Sequence, residues 1–236
     1  KTPFYFTKAI CMSGISEYER QDQVAALSQR TAIDLINHLQ INIENKDYSS
    51  LASSLGIDIN SASSIKEIAA EQLYQQDMNE KYFTLNKFEI SLITHDNNLN
   101  EIMKSGLLYY FENNQYVSNY HKLYIKSSKS LISEINDEIK ALNQIRFEAN
   151  MNSFTLGSQN TISGNNRKLG NEIIALSLMR EEIKTNAELL TPLTFVQNFA
   201  NVYKKENDVL ILSLISVVLS FILGLFFAFV IEVKKI

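Results

Sequence analysis

Residues 209–231 read VLILSLISVVLSFILGLFFAFVI, a run of 23 without one charged side chain, five residues from the end of the sequence. At about 1.5 Å per residue this makes roughly 34 Å of helix, enough for a ~30 Å hydrocarbon core. A helix of that length at the surface of a soluble core shows a polar stripe, and this run has none. The sequence therefore predicts a C-terminal transmembrane helix over 209–231 with a short tail over 232–236, and the preceding 208 residues become a domain beside a bilayer.

The side of the membrane is not set by charge. Lys204 and Lys205 precede the run and Lys234 and Lys235 follow it, two against two. Glu206, Asp208 and Glu232 do not break the tie, because acidic residues contribute little to orientation. Two topologies stay open: a tail-anchored domain in the cytosol, or an external domain with a second span upstream. The sequence opens on Lys1 without a signal-peptide pattern, which a preceding first span would accommodate.

Composition narrows the classes. With 45% hydrophobic and 20% charged residues, the chain has ordinary globular content and length for one real core. A net charge of −4 offers no basic surface for nucleic acid. The lone Cys11 forms no intrachain disulfide, which suits the cytoplasm and equally a large periplasmic domain. Seven Gly and two Pro point to long regular elements.

PFYFTKAICMSGI near the start is aromatic and β-prone, predicting a strand over 4–10. From Asp22, Leu27, Leu35, Ile36, Leu39 and Ile43 fall at helical spacing. Asp47 can cap a short helix that Gly56 ends. SIKEIAAEQLYQQ is ambiguous: Ser64 and Glu67 fit a capping box, and Ile65, Ile68, Ala69 and Leu73 share a helical face. YFTLNKFEISLITHD alternates at Phe88, Ile90 and Leu92 and predicts a strand over 83–94. A helix follows from near Asn98, with Gly106 inside it at some cost.

A long helix is expected from Tyr116 to about Phe147, with Ile132, Ile135, Ile139 and Leu142 as a 3-4-3 seam. The Asn-, Ser- and Gly-rich stretch 150–166 is expected to be the loop at the tip of an antiparallel hairpin. Leu169, Ile173, Leu176 and Ile183 mark the returning helix. In LLTPLTFVQNFAN, Pro192 disfavours helix, and Leu193 and Phe195 suggest a strand over 190–199. The hairpin thus does not run straight into the terminal apolar run.

Chemistry is not evident. His38, His95 and His121 are scattered, without metal-ligand spacing to each other or to Cys11. NNRKL between Gly164 and Gly170 lacks the Gly-Lys-Ser/Thr ending of a phosphate loop. CMSG is not the Gly-x-Ser-x-Gly of a nucleophile elbow. Glu134 and Glu138, four apart on a helix, suit a solvated face better than an acid/base pair. The reading is a non-enzyme without cofactor or metal. On the terminal run, Ser216, Ser220, Gly224 and Ala228 recur every four residues, a small-residue face suited to helix packing in lipid.

Strand, helices, central strand, helical hairpin, Pro-containing strand, apolar helix and short tail: this order resembles the Wzz-type chain-length determinants, the polysaccharide co-polymerases of bacterial surface glycans. The likeness is closest in LLYYFENNQYVSNYHKLYIKSSKSLISEINDEIKALNQI, similar to the passage from core domain to long helix. It is also close in LLTPLTFVQNFAN, similar to the approach to the family's second span. The chain departs from the family in having a single proline there, Pro192, and in a shorter long helix than some members have.

The resemblance implies an α+β fold. A membrane-proximal periplasmic domain would span 1–123 and 189–208, a protruding helical hairpin 124–188, the transmembrane helix 209–231 and a cytoplasmic tail 232–236. It implies a first span before residue 1 and a bacterial inner-membrane location. The activity implied is non-enzymatic: a homo-oligomer in the lipid bilayer that regulates the chain length of an O-antigen, capsule or exopolysaccharide. The implied partners are the polysaccharide polymerase and the growing glycan. Pro192, Leu193 and Phe195 would form the membrane-approach segment. The alternatives are an extracytoplasmic sensor domain of a membrane receptor and a tail-anchored adaptor.

Overall fold

The computed structural model describes residues 4–19, 29–78, 80–96, 98–156, 159–200, 203–205, 213 and 215–222. The expected strand at the N-terminus is β1 (Phe4–Met12), followed by a single turn, α1 (Ile15–Tyr18). Then come α2 (Arg30–Glu44), α3 (Tyr48–Leu55) and α4 (Ile59–Ser63). Next are β2 (Ile65–Gln76), β3 (Tyr82–Thr94), α5 (Asn100–Asn113) and the long pair α6 (Gln115–Leu156) and α7 (Gln159–Leu189). The chain returns through β4 (Thr194–Gln197) and β5 (Tyr203–Lys205).

The strands form one antiparallel sheet of order β2-β3-β1-β4, with β5 also on β1. β4 takes the Ile10 to Met12 end of β1 and β5 the Phe4 to Phe6 end, so both lie along the same edge of that strand. The strands expected over 4–10, 83–94 and 190–199 therefore share one sheet, although the last is cut to four residues. α2, α3 and α5 cover one face, where Ile36, Leu39, Leu51, Ile90, Leu92 and Phe111 are fully buried.

Local signals explain several elements. Asp47 accepts from the Ser50 amide and caps α3, and Gly56 ends it at φ 62°, a left-handed conformation that glycine enters without a Cβ penalty. Gly106 within α5 has a different reason. A Cβ there would stand 3.1 Å from the Leu55 carbonyl oxygen, so its smallness lets α5 approach the end of α3.

The stretch that offered a helical face at Ile65 and Ile68 is strand β2. Its register shifts between Ile65 and Glu67, a bulge that turns two residues three apart to the same buried side. β2 is also an edge, and α2 blocks it. Asn37 donates to the Ala70 carbonyl and accepts from the Ala70 amide, while Gln40 accepts from the Ile68 amide. Side-chain amides thus occupy the ladder positions that a further strand would need.

Two further expectations are corrected. The stretch 150–166 is not a long loop: α6 runs to Leu156 and α7 begins at Gln159, leaving only residues 157 and 158, which lie outside the described residues. Asn, Ser and Thr cost a few tenths of a kcal/mol each in a helix, which the cooperative extension of two long helices overrides. At 42 and 31 residues, α6 and α7 are about 63 and 46 Å long.

The second correction concerns the fold class. No helix among the described residues is long and apolar enough to cross a membrane. Of 209–231, only Ser213 and residues 215–222 are described, and they are helical. Among the described residues the architecture is an α+β fold with an antiparallel sheet, a helical layer and a long helical hairpin, and none of its helices is a membrane span. The rest of the expected span and the tail 232–236 lie outside the described residues.

Candidate functional site

The sheet gives the molecule two poles. At one, Phe4 pairs with Lys205 and Tyr5 with Thr94, so both ends of the described domain meet there. At the other, β1 ends beside β4, and the Gly14 amide donates to the Thr191 carbonyl at 3.0 Å, where α7 turns back into the sheet. The hairpin is anchored at the pole opposite the chain ends.

That anchor is built from Ser13, Gly14 and Tyr18. Ser13 Oγ donates to the Pro192 carbonyl at 2.6 Å, and Tyr18 Oη donates to the Leu190 carbonyl. The Tyr18 ring lies 4.9 Å from His121 and 5.2 Å from Tyr124, both on α6, so α1 clamps both helices of the hairpin. Burial, reinforced by Tyr124, pushes the Tyr18 phenol well above its ordinary pKa, and burial depresses that of His121. Gly14 is small for a reason: a Cβ there would meet Tyr18 Oη at 2.8 Å and Leu190 Cβ at 3.1 Å.

The residues expected as a membrane-approach segment sit at this turn. Leu193 is buried in the core, Phe195 is opposite Cys11, and its ring lies 5.8 Å from that of Phe199. Pro192 contributes the carbonyl that Ser13 holds. Their observed contacts are with the domain itself. Of the small-residue face, Ser216 and Ser220 are exposed in the helical residues 215–222, Ser220 Oγ donating to the Ser216 carbonyl at 2.7 Å. Gly224 and Ala228 lie outside the described residues.

The hairpin seam has the expected composition. Ile135 and Leu142 are buried, with Ile132 and Ile139 half-buried beside them, and Leu169, Ile173, Leu176 and Ile183 are half-buried on α7. Arg180 Nη1 donates across the seam to Asn136 Oδ1 at 3.1 Å.

Among the described residues, apolar side chains remain uncovered on both helices of the hairpin. On α6, Tyr116, Tyr120, Leu123, Leu131 and Ile145 are exposed. At 100° per residue they fall within about 80° of arc, roughly a quarter-turn from the seam. On α7, Ile174 and Leu178 are 60% and 68% exposed and point about half a turn away from the seam. These faces differ in position and composition, so a contact between one and the other is heterologous and propagates around a ring or along a filament. The seam was legible in the sequence, but the faces were not. Their residues interrupt the heptad and become significant only once the partner of each helix is known.

His38 is exposed on α2, and His95 lies 4.6 Å from Phe4 with a buried Nδ1 that has no hydrogen-bond partner. Cys11 is buried, and burial pushes its thiol up to about 12, leaving it a poor nucleophile. Among the described residues no group of three or more His, Cys, Asp or Glu is placed to hold a metal ion.

No protein-family model matches the chain, and no curated protein is significantly similar to it.

Proposed function

We propose that the chain is a non-enzymatic regulator of surface-polysaccharide chain length that self-associates through its helical hairpin. It works with the glycan's polymerase at the bacterial inner membrane, the domain on the periplasmic side. The observation that carries this reading is polarity. Both ends of the described domain leave from one end of the sheet, and a hairpin about 46–63 Å long is anchored at the other. A domain tethered through its ends would hold such a hairpin upright beside its neighbours.

Self-association draws support from the two uncovered faces. The blocked β2 edge favours helix-to-helix contact over sheet extension at that side. A closed set of subunits would then confine the polymerase and its growing glycan and bias the number of repeats joined.

The test is genetic and biophysical together. Deletion of the gene should shift or broaden the modal glycan length on gels, and Leu178→Asp should reproduce that change while abolishing cross-linked oligomers of the full chain. An unchanged length distribution in the deletion strain would overturn the reading.

A further inference from the structure

A cavity of about 600 Å³ lies at the base of the hairpin, where α1 meets α6 and α7. It falls within the size range of small-molecule sites. Its walls are mixed. Tyr124 and Ile183 are the aromatic and aliphatic parts, Ser128 is a buried hydroxyl, and Glu17, Glu134 and Asn186 stand at the exposed rim. Ser130 Oγ donates to Glu134 Oε1 at 3.2 Å, which orients that carboxylate. The Tyr124 wall is held in place because its ring rests on Tyr18, itself bonded to the Leu190 carbonyl.

The lining selects a ligand class by elimination. It holds two carboxylates and not one Lys, Arg or His. An anionic ligand would bring a third negative charge to it without a counter-charge, so phosphates, nucleotides and uronic acids are disfavoured. An apolar ligand would strip water from hydroxyl, amide and carboxylate groups without replacing their hydrogen bonds. A small cation would be drawn to the two carboxylates but would leave Tyr124, Ile183 and the Ser128 hydroxyl unused, so what fits the whole lining is a ring with many hydroxyls and an apolar edge. Its O–H groups donate to the carboxylates and to the Asn186 carbonyl oxygen, and its C–H face lies against Tyr124 or Ile183.

We propose that this cavity is a binding site for a non-anionic saccharide, a neutral or amino-bearing glycan segment. Every lining group comes from a single chain, Leu131 of the uncovered α6 face among them, and the inference deepens the proposed function, on whose glycan partner it rests, without requiring assembly.

The experiment is calorimetric titration of the purified full chain with neutral, amino-bearing and uronic-acid oligosaccharides of equal length. A neutral or amino-bearing oligosaccharide should bind with a Kd below about 10 mM, and the uronic-acid series at least about tenfold more weakly. Glu134→Gln and Asn186→Trp, both at exposed positions, should each weaken binding at least about fivefold with an unchanged thermal midpoint. The assembly variant Leu178→Asp should bind as the parent does. The proposal is overturned if neither non-anionic series binds, if the uronic-acid series binds equally well, or if both rim variants bind like the parent. Loss of binding in Leu178→Asp would overturn the single-chain site.

Discussion

Replacing Gly14 by Ala tests the clamp that turns the hairpin back into the sheet. Gly14 has φ −82°, so backbone strain is not at issue; the consequence is steric. The new Cβ would lie 2.8 Å from Tyr18 Oη and 2.9 Å from Tyr18 Cζ. The ring is only 3% exposed and packs against His121 and Tyr124, so it yields only by leaving its hydrogen bond to Leu190. Overpacking of this kind costs about 1–3 kcal/mol, and we expect about 2. Tyr18→Phe should cost about 1–2 kcal/mol, because it leaves the Leu190 carbonyl without its donor. In the double variant that hydrogen bond is lost once and not twice, so the combined cost should fall short of the sum by about 1 kcal/mol. Urea unfolding of the full chain, followed by circular dichroism at the helical band, measures all three values. The reasoning fails if Gly14→Ala lies within about 0.5 kcal/mol of the parent, or if the two costs add within that margin.

Ile135→Ala should cost about 2–5 kcal/mol in the same assay, since Ile135 is 5% exposed in the seam, whereas Ile174→Ala on the uncovered face should stay within about 0.5 kcal/mol. Asn37→Ala removes both side-chain partners of Ala70 and should cost about 1–3 kcal/mol, with faster hydrogen exchange at the Ala70 amide. His121 has its folded pKa depressed by burial, so the unfolded chain binds the extra proton. Stability should therefore be full above the unfolded value of about 6.5 and decline as pH falls below it; His121→Gln should flatten that limb in denaturation midpoints taken across pH. Leu193→Ala, at a core position 3% exposed, should cost about 2–5 kcal/mol.

Elements whose signal is local could be read from the sequence. The alternation of Phe88, Ile90 and Leu92 marks a half-buried strand, and the 3-4-3 spacing from Ile132 to Leu142 marks a helical seam. Asp47 and Gly56 delimit α3 by cap chemistry that needs nothing beyond neighbouring residues. Pro192 likewise announced that the returning helix must stop.

Tertiary structure decided the rest. Ile65 and Ile68 are three apart, a helical interval that becomes a strand interval only because a bulge adds one residue when β2 pairs with β3. The polar stretch 150–166 reads as loop by composition, yet helix continues to Leu156 and resumes at Gln159 because cooperative extension outweighs small propensity costs. Gly106 carries no local message, because it is small on account of Leu55, about 50 residues away; Gly14 is small because the tertiary fold holds the ring of nearby Tyr18 against it through the bond to Leu190. The candidate surfaces share this origin: Ile174 and Leu178 look like any apolar pair until the fold shows which side of α7 is already occupied. Side-chain periodicity is written along one chain, whereas burial depends on what another segment brings to it.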